Sequence, residues 1–315
     1  MAALPAKSSP TVDAIYASYA ESQESGYREH LGASIIGTAC ERALWYGFRW
    51  TTRSHFDGRL LRLFQTGHLS EARFVADLCM VGVTVLDVNP DTGKQWNCRD
   101  ESGHFGGSAD GVALGVLEAP KTWHLCEFKT HGEKSFNGLK KDGMEKSKPL
   151  HFAQMQTYMH LLGLERGLYM AVNKNTDELY SERIHYDIAV GTKMVAKAAR
   201  VINAPRPPPK VSNDPAWFMC RFCDHAPACH GDALPQRHCR SCLHSTPVAD
   251  GEWYCGKHNW RLSLCAQSLG CSKHLYIPDL VPGKQIDVSA DGERIVYAMR
   301  DGKQWQDGLT EFNHE

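Results

Sequence analysis

Residues 123–130 read Trp-His-Leu-Cys-Glu-Phe-Lys-Thr, a short run rich in aromatic and apolar residues that predicts a β-strand. Side chains of a strand alternate between the two faces of a sheet, so Glu127 and Lys129 share one face. Cys126 and Phe128 then point to the opposite face, into the core. An isolated Glu-x-Lys pair is usually a surface ion pair, so its meaning depends on what the chain places beside it.

Further strand-like runs surround this segment and are separated by Asn, Asp, Gly and Pro residues that are typical of turns. They cover residues 83–87, 95–98, 107–114, 168–172 and 179–186. Apolar residues spaced by three and four predict helices near 34–50, 67–80, 151–163 and 188–203. The proline-rich segment 205–210 cannot continue the last helix and marks a boundary. The sequence therefore predicts an α/β fold, with a small mixed sheet flanked by helices.

The composition excludes some classes of protein. The 315 residues contain no apolar run of about 18, so we expect no membrane span. The N-terminus lacks the pattern of a signal peptide, which indicates a cytoplasmic location, the host cytoplasm if a phage encodes the chain. In a reducing compartment the 12 cysteines are more naturally metal ligands than disulfides.

The charge pattern gives no global attraction to nucleic acid. The net charge is −1, so DNA binding would need a local basic surface. Residues 134–148 contain five lysines, partly offset by Glu133, Asp142 and Glu145. Such a run alone is most often a solvated loop, and we expect one here.

Other polar residues fall in positions where they can meet the Glu-x-Lys strand. Asp110 lies in the glycine-flanked run 106–111, where a ligand can approach the backbone closely. Gln154 and Tyr158 are four residues apart and share one face of the predicted helix. His68 and Glu71 are three residues apart on an earlier helix. The chain thus offers acid, acid-x-Lys and Gln-x-x-x-Tyr in that order.

This order resembles the PD-(D/E)xK nuclease superfamily, and specifically its RecB-like branch of recombination nucleases, CRISPR-adaptation nucleases and phage exonucleases. The resemblance covers roughly residues 28–230. It implies a restriction-endonuclease-like core in which Asp110 and Glu127 bind a divalent metal and Lys129 positions the attacking water. It also implies that Gln154 and Tyr158 lie beside this site and the DNA.

The same resemblance implies that His68, preceded by Gly67, is a third metal ligand. Oxygen ligands suit Mg²⁺ or Mn²⁺, and an imidazole favours Mn²⁺ somewhat. Ala109 stands where many members of the superfamily have proline, a position that varies in this branch. Two roles remain for Glu71: a ligand that reaches the metal through a water, or a solvated carboxylate on the helix surface.

One group of cysteines forms an incomplete metal site by itself. Cys220-x2-Cys223-x5-Cys229 provides three ligands, whereas closed sites normally have four. His225 or His230 could complete a zinc site. The resemblance favours Cys40 instead, because a RecB-like subgroup joins one upstream cysteine to this C-terminal pattern. It implies a [4Fe–4S] cluster on Cys40, Cys220, Cys223 and Cys229 that closes the nuclease core.

A second group of cysteines resembles a zinc ribbon. We expect Zn²⁺ on Cys239, Cys242, Cys255 and Cys271, leaving Cys265 spare, while His258 and His274 are alternative ligands. Asp-Gly turns at 291–292 and 301–302 predict a β-hairpin in the tail, residues 285–308.

The predicted organisation has three parts: a flexible N-terminus at 1–26, a nuclease core at 27–232, and a zinc-binding module with a β-hairpin tail at 233–315. The expected function is a metal-dependent DNA exonuclease for end processing or recombination. A structure-specific endonuclease and an inactive DNA-binding protein of the same fold are the alternatives. DNA is the expected partner, and a single-strand annealing protein is a further candidate.

Overall fold

The computed structural model describes residues 9–22 and 27–308 of the chain. Its helices are α1 Pro10–Glu21, α2 Glu41–Phe48, α3 Gly58–Met80, α4 Glu133–Ser147, α5 Pro149–Leu162, α6 Ile188–Asn203, α7 Phe218–Arg221, α8 Ala226–Cys229 and α9 Leu264–Ser268. Short 3₁₀ turns occupy Ala33–Ile35, Cys239–Ser241, Ala249–Gly251 and Pro278–Leu280. Within these described ranges, no helix has the length and apolar character needed to cross a bilayer.

The strands form four sheets. They are β1 Leu31–Gly32, β2 Thr84–Leu86, β3 Val88–Asn89, β4 Lys94–Arg99, β5 Phe105–Ala109, β6 Gly111–Leu114, β7 His124–His131, β8 Arg166–Asn173, β9 Leu179–His185, β10 Ser245–Pro247, β11 Trp253–Cys255, β12 Trp260–Leu262, β13 Gly283–Val288, β14 Ile295–Met299 and β15 Gln304–Asp307. The central sheet has the order β2-β6-β7-β8-β9, and a second sheet has the order β1-β5-β4-β3.

The central sheet is mixed. Strands β7 and β8 are parallel, from Leu125 opposite Gly167 to His131 opposite Asn173, whereas the other neighbours are antiparallel. Helix α4 separates from α5 at Lys148, and α4 and α5 together make the crossover that a parallel pair requires. The predicted α/β class, with a mixed sheet flanked by helices and a small C-terminal β module, is confirmed.

The two faces of β7 pack against different helices. On one face Cys126 and Phe128 belong to a small apolar cluster with α3, where Phe74 stacks on Phe128 at 5.0 Å between ring centroids. On the other face Glu127 lies against α5, whose Gln154 binds it. The alternation predicted for this strand therefore places the Glu-x-Lys face toward α5.

Residues 107–114, predicted as one strand, divide at Asp110. Strand β5 pairs with β4 in the second sheet, and β6 pairs with β2 and β7 in the central sheet. Glycine is required at Gly106, since a Cβ there would overlap the Cys98 carbonyl oxygen. Asp110 thus stands at the corner where the chain leaves one sheet and enters the other.

Two elements of the structure differ from the sequence prediction, one in its type and one in its bounds. The lysine-rich run expected as a solvated loop is helix α4, which buries Phe136, Leu139 and Met144 against the core. Helix α3 begins at Gly58 rather than near residue 67, because Asp57 caps it by accepting a hydrogen bond from the Leu60 amide at 2.7 Å.

The N-terminal segment predicted to be flexible contains helix α1. Helix α1 packs on α3 so closely that a Cβ at Gly58 would overlap the Tyr16 carbonyl. None of the α1 residues is buried, and the Ala- and Ser-rich segment shows no clear apolar stripe that would predict a packed helix. Residues 1–8 and 23–26 of this predicted segment lie outside the described residues.

The C-terminal module contains two small antiparallel sheets, β10-β11-β12 and β13-β14-β15. The tail predicted as a hairpin is a three-stranded sheet, because each Asp-Gly turn joins a separate pair of strands. Gly292 and Gly302 adopt φ of 68° and 81°, as such turns require. Residues 309–315 of the predicted module lie outside the described part of the chain.

The module shares the main core through Trp253 of β11. This side chain is fully buried and belongs to the same apolar cluster as Trp45 and Phe48 of α2. Its ring centroid lies 5.2 Å from that of Phe48. The module is therefore packed onto the core region and is not simply tethered to it.

Replacing Trp253 with alanine is expected to lower the free energy of unfolding by about 3–5 kcal/mol, because it leaves a cavity between module and core. Urea denaturation of the full chain measures this. Trp260→Ala is the matched control, since Trp260 on the neighbouring strand is 57% exposed, and its effect should stay within about 0.5 kcal/mol. Equal stability of the two variants would contradict a shared core.

Candidate active site

The edge of β7 is unpaired at the point where the two sheets diverge. Strand β6 pairs with β7 only as far as Gly111 opposite Cys126. At the next free position, the carboxylate Oδ2 of Asp110 accepts a hydrogen bond from the Phe128 amide at 2.7 Å. The Asp110 side chain thus takes the place of a strand neighbour, which fixes its carboxylate beside β7.

Glu127 is fully buried and is held from two sides. Its Oε2 accepts a hydrogen bond from Gln154 Nε2 at 3.2 Å, and its Oε1 forms an ion pair with the Lys129 ammonium. The same Nζ lies 3.9 Å from Asp110 Oδ2 and donates to the Phe128 carbonyl at 3.1 Å. One ammonium therefore lies between two carboxylates.

The charges in this group depend on one another. Burial raises the pKa of Glu127 to about 7, although the charge of Lys129 acts in the opposite direction. Burial by itself would lower the pKa of Lys129, but the charges of Glu127 and Asp110 outweigh it and the pKa is raised. Lys129 is therefore charged, and its charge favours the ionised form of Glu127.

Helix α3 adds a third carboxylate. Burial and the charge of Asp110 raise the pKa of Glu71, while the charges of His68 and Lys129 lower it. The His68 side chain is 75% exposed, and its Nδ1 lies 3.4 Å from Glu71 Oε1. Glu71 is thus the α3 side chain whose charge acts on Asp110 and Lys129, and His68 contacts Glu71. The role of His68 as a metal ligand stays a prediction.

A cleft of about 460 Å³ opens between α3 and β7 at this group. Its wall includes exposed apolar side chains, Leu63 at 39% and Phe64 at 42%, and a basic one, Lys174. The residues lining it are Leu63, Phe64, Gly67, His68, Glu71, Phe74, Phe128, Lys129, Thr130 and Lys174. The cleft therefore offers one carboxylate, Glu71, two ammonium groups and an apolar wall to a ligand, while Asp110 and Glu127 are not among its lining residues.

The two residues of the predicted Gln-x-x-x-Tyr pair contact different parts of the structure. Gln154 contacts Glu127 directly, whereas Tyr158 lies one turn further along α5 and is only 2% exposed. The Tyr158 hydroxyl packs against Gly107 of β5, where a Cβ would overlap it. Burial and the charge of Glu127 raise the pKa of Tyr158. Tyr158 thus supports the junction of the two sheets, and Gln154 holds the carboxylate.

Sequence reasoning missed a polar group that extends the same face of β7. The Tyr169 hydroxyl lies 2.9 Å from His131 Nε2 and 3.0 Å from His151 Nδ1. Burial and nearby lysine charges lower the pKa of His131 to about 4 and that of His151 to about 3, so both imidazoles are neutral. The signals were the spacing of two from Lys129 to His131 and of three from His151 to Gln154.

The first group of cysteines lines a single cavity. Cys40, Cys220, Cys223 and Cys229 line one cavity of about 230 Å³, together with Tyr46 and both histidines considered as alternative ligands, His225 and His230. In residues 9–22 and 27–308, however, no group of three or more Cys, His, Asp or Glu side chains is arranged to hold a metal ion. The four thiols share a cavity without meeting at one point, and the cluster stays a prediction.

The second group of cysteines lies in the C-terminal module. Cys239 begins the turn Cys239–Ser241, Cys242 follows it, and Cys255 ends β11. Cys271 Sγ lies 3.6 Å from His258 Nε2, whereas Cys265 on α9 is exposed. His274 Nε2 is instead 3.1 Å from Ser241 Oγ, and burial lowers the pKa of His274 to about 3. The zinc ligands also stay a prediction.

No protein-family model and no curated protein matches this sequence. Among solved structures, the crystal structure of LHK-Exo in complex with dAMP matches with a TM-score of 0.39 and 17% identity, covering 60% of this chain and 90% of that one. A crystal structure of LHK-Exo, an alkaline exonuclease from Laribacter hongkongensis, matches with a TM-score of 0.37 and 16% identity, again covering 60% and 90%. Likeness at this level assigns neither a family nor an activity.

Proposed function

We propose that the chain is a divalent-metal-dependent deoxyribonuclease that hydrolyses DNA from an end. The observation that carries the proposal is the Lys129 ammonium between the carboxylates of Asp110 and Glu127, at a strand edge that opens on a cleft. Glu71 is a third carboxylate whose charge acts on the same ammonium, and the group then has a surplus of negative charge that would repel a phosphodiester. A cation at these carboxylates would reverse that repulsion.

The residue types of the donor set suit Mg²⁺ or Mn²⁺, although no three Asp, Glu, His or Cys side chains of residues 9–22 and 27–308 are arranged around one point, so the donors must move closer together to bind an ion. Asp110 and Glu127 would hold the ion, with Glu71 and His68 as further donors from α3, and carboxylate oxygens are the ligands these ions prefer. Glu127 Oε1 is buried and accepts no hydrogen bond of normal geometry, its neighbour being the Lys129 charge. When bound, such an ion polarises a phosphoryl oxygen and lowers the pKa of a coordinated water.

The residues of the chain supply position and charge. The Phe128 amide and Gln154 fix the two carboxylates in place, so that little reorganisation is needed when a ligand arrives. Lys129 is placed to orient a water and to neutralise charge that develops on the phosphate. Along the cleft, Lys174 can contact a phosphate while the exposed ring of Phe64 can stack on a base.

End-directed digestion is the form of activity that the resemblance to RecB-like exonucleases supports. A role in DNA end processing or recombination, with a single-strand annealing protein as partner, belongs to the same proposal. The exposed lysines of α4 are offset by Glu133, Asp142 and Glu145 and by the pairing of Lys140 with Glu178. DNA contact is therefore proposed for the cleft, where Lys129 and Lys174 are the basic residues.

The test compares end-labelled linear DNA with closed circular DNA in Mg²⁺ or Mn²⁺. The wild type should digest the linear DNA from its ends, and Glu127→Gln should be at least about 10²-fold slower because it loses a charged ligand. Glu178→Gln is the matched control, since Glu178 is exposed and pairs only with Lys140 among the described residues, and it should leave the rate unchanged.

Cleavage of closed circular DNA by the wild type would contradict exonuclease activity and show that the same site acts as an endonuclease. Equal inertness of the wild type and Glu127→Gln on both DNA forms, with either metal, would contradict nuclease activity and favour a DNA-binding role.

We also propose that Cys40, Cys220, Cys223 and Cys229 bind a [4Fe–4S] cluster. The support is that Cys40 lies roughly 180 residues before the other three cysteines in the chain, and yet all four line one cavity. The spacing is that of the RecB-like subgroup. Such a cross-link would restrict the unfolded chain and stabilise the fold by about 5 kcal/mol. The cluster would act as a structural clamp.

Protein purified without oxygen should be brown and contain about four iron atoms per chain, as a [4Fe–4S] cluster requires. Cys223→Ser should lose this iron, whereas Cys79→Ser should keep it, because Cys79 is an exposed cysteine on α3. A colourless wild-type protein that contains zinc and no iron would contradict the cluster and favour a zinc site.

A further inference from the structure

Two arginines are buried where the C-terminal module meets the core. Arg49, at the end of α2, is 4% exposed, and its Nη1 donates to the Ser245 carbonyl of the module at 2.9 Å. Arg240, from the module, is 1% exposed and donates to the Phe48 carbonyl at 3.0 Å and the Glu29 carbonyl at 2.8 Å. Each guanidinium thus reaches across the junction to the main chain of the other part.

Aromatic rings enclose the two guanidiniums. Arg240 lies 3.9 Å from the ring centroid of Trp50 and 4.6 Å from that of Trp253, and Arg49 lies 4.8 Å from Trp253. Ring faces and carbonyls attract a cation, but they carry no net charge. The carbonyls accept hydrogen bonds from both guanidiniums but leave the buried Arg49 Nε without a partner among the described residues, and the two charges stay uncompensated.

The junction lacks a carboxylate that could compensate these charges at close range. Neither arginine has one within salt-bridge distance among residues 9–22 and 27–308, and the carboxylate of Glu29 acts on Arg240 only from farther away. Arginine keeps its proton in proteins, so both charges persist, and they repel each other. A buried charge without a partner is strongly unfavourable, which indicates a missing counter-charge.

Cysteines are the acidic groups that sequence and strand register place beside the two arginines. Cys239 and Cys242 flank Arg240 in sequence, and Cys242 is the acidic group whose charge acts on Arg49. Cys255 is paired in register with Ser245, the residue whose carbonyl binds Arg49. Burial raises the pKa of Cys239 and of Cys242, so their thiolates need a bound cation to form, and thiolates are preferred ligands of zinc.

We propose that Cys239, Cys242, Cys255 and Cys271 bind one thiophilic divalent ion, Zn²⁺, as four thiolates whose complex is the counter-charge of Arg49 and Arg240. On binding, four S–H bonds break, four sulfur–metal bonds form and four protons leave to solvent. The complex then has a charge of minus two, which balances the two guanidiniums. Because no group of three or more ligand side chains is arranged around one point in the described ranges, the sulfurs must turn inward to bind.

This arrangement couples the metal to the junction. If the complex stabilises the two arginines, the arginines stabilise the complex by the same free energy, since such coupling is reciprocal. The metal would then hold the module on the core through charge, in addition to the apolar packing of Trp253. This inference is independent of the proposed nuclease activity.

The test titrates the full-length apoprotein with Co²⁺ in the absence of oxygen, reads the sulfur-to-cobalt absorption, and displaces Co²⁺ with Zn²⁺. Arg49→Met and Arg240→Met, which remove the charge but keep much of the volume, should each weaken binding by at least about tenfold. Arg49→Lys, which keeps the charge, should restore most of the affinity. Arg206→Met is the control, because Arg206 is an exposed arginine near the same junction that pairs with Asp279, and it should bind like the wild type.

Cys255→Ser identifies which cysteines provide the signal, since it should remove one metal equivalent, whereas exposed Cys265→Ser should remove none. Methionine variants that bind metal as tightly as the wild type would overturn the proposal. So would a signal that Cys255→Ser leaves unchanged. If neither methionine variant folds, Arg49→Gln, which drops the charge but keeps a hydrogen-bond donor, decides by the same titration.

Discussion

The ammonium of Lys129 between the carboxylates of Asp110 and Glu127 is the interaction on which the candidate site depends. A fully buried carboxylate such as Glu127 tends to take up a proton, and the adjacent positive charge is what favours its ionised form. Removing Lys129 would leave the Glu127 carboxylate buried without a counter-charge, which is strongly unfavourable, whereas Lys129 without Glu127 keeps Asp110 as a partner. The surrounding structure serves this group: the Phe128 amide fixes Asp110, and Gln154 fixes Glu127.

Much of this site can be predicted from single residues and their spacing. The period of two on β7 placed Glu127 and Lys129 together, and the resemblance to the nuclease superfamily implied that Gln154 lies beside them. The relation of Asp110 to β7 could not be predicted in detail, because residues 107–114 look like one strand and the change of sheets shows only in the pairing. The different roles of Gln154 and Tyr158 likewise depend on which side of α5 meets which strand.

The fold was predictable where apolar periodicity is strong and was mispredicted where charge conceals it. In α4 the lysines outnumber the buried residues Phe136, Leu139 and Met144, so the helix resembles a solvated loop. In α1 no residue is buried, and the helix backbone approaches α3 closely at Gly58, a contact that no hydrophobic pattern predicts. The burial of Arg49 and Arg240 at the module junction could not be predicted either, since nothing in the local sequence distinguishes a buried arginine from an exposed one.

Asp110 and Glu127 are proposed to form a cation site, and the Lys129 ammonium balances their negative charge when no metal is bound. Calorimetric titration of the full-length protein with Mn²⁺, without DNA, tests it most directly. The account predicts that the wild type binds Mn²⁺ and that Asp110→Asn binds it at least about tenfold more weakly, as loss of a charged ligand implies. Equal affinity in the wild type and Asp110→Asn would contradict the account, because the ion would then bind elsewhere.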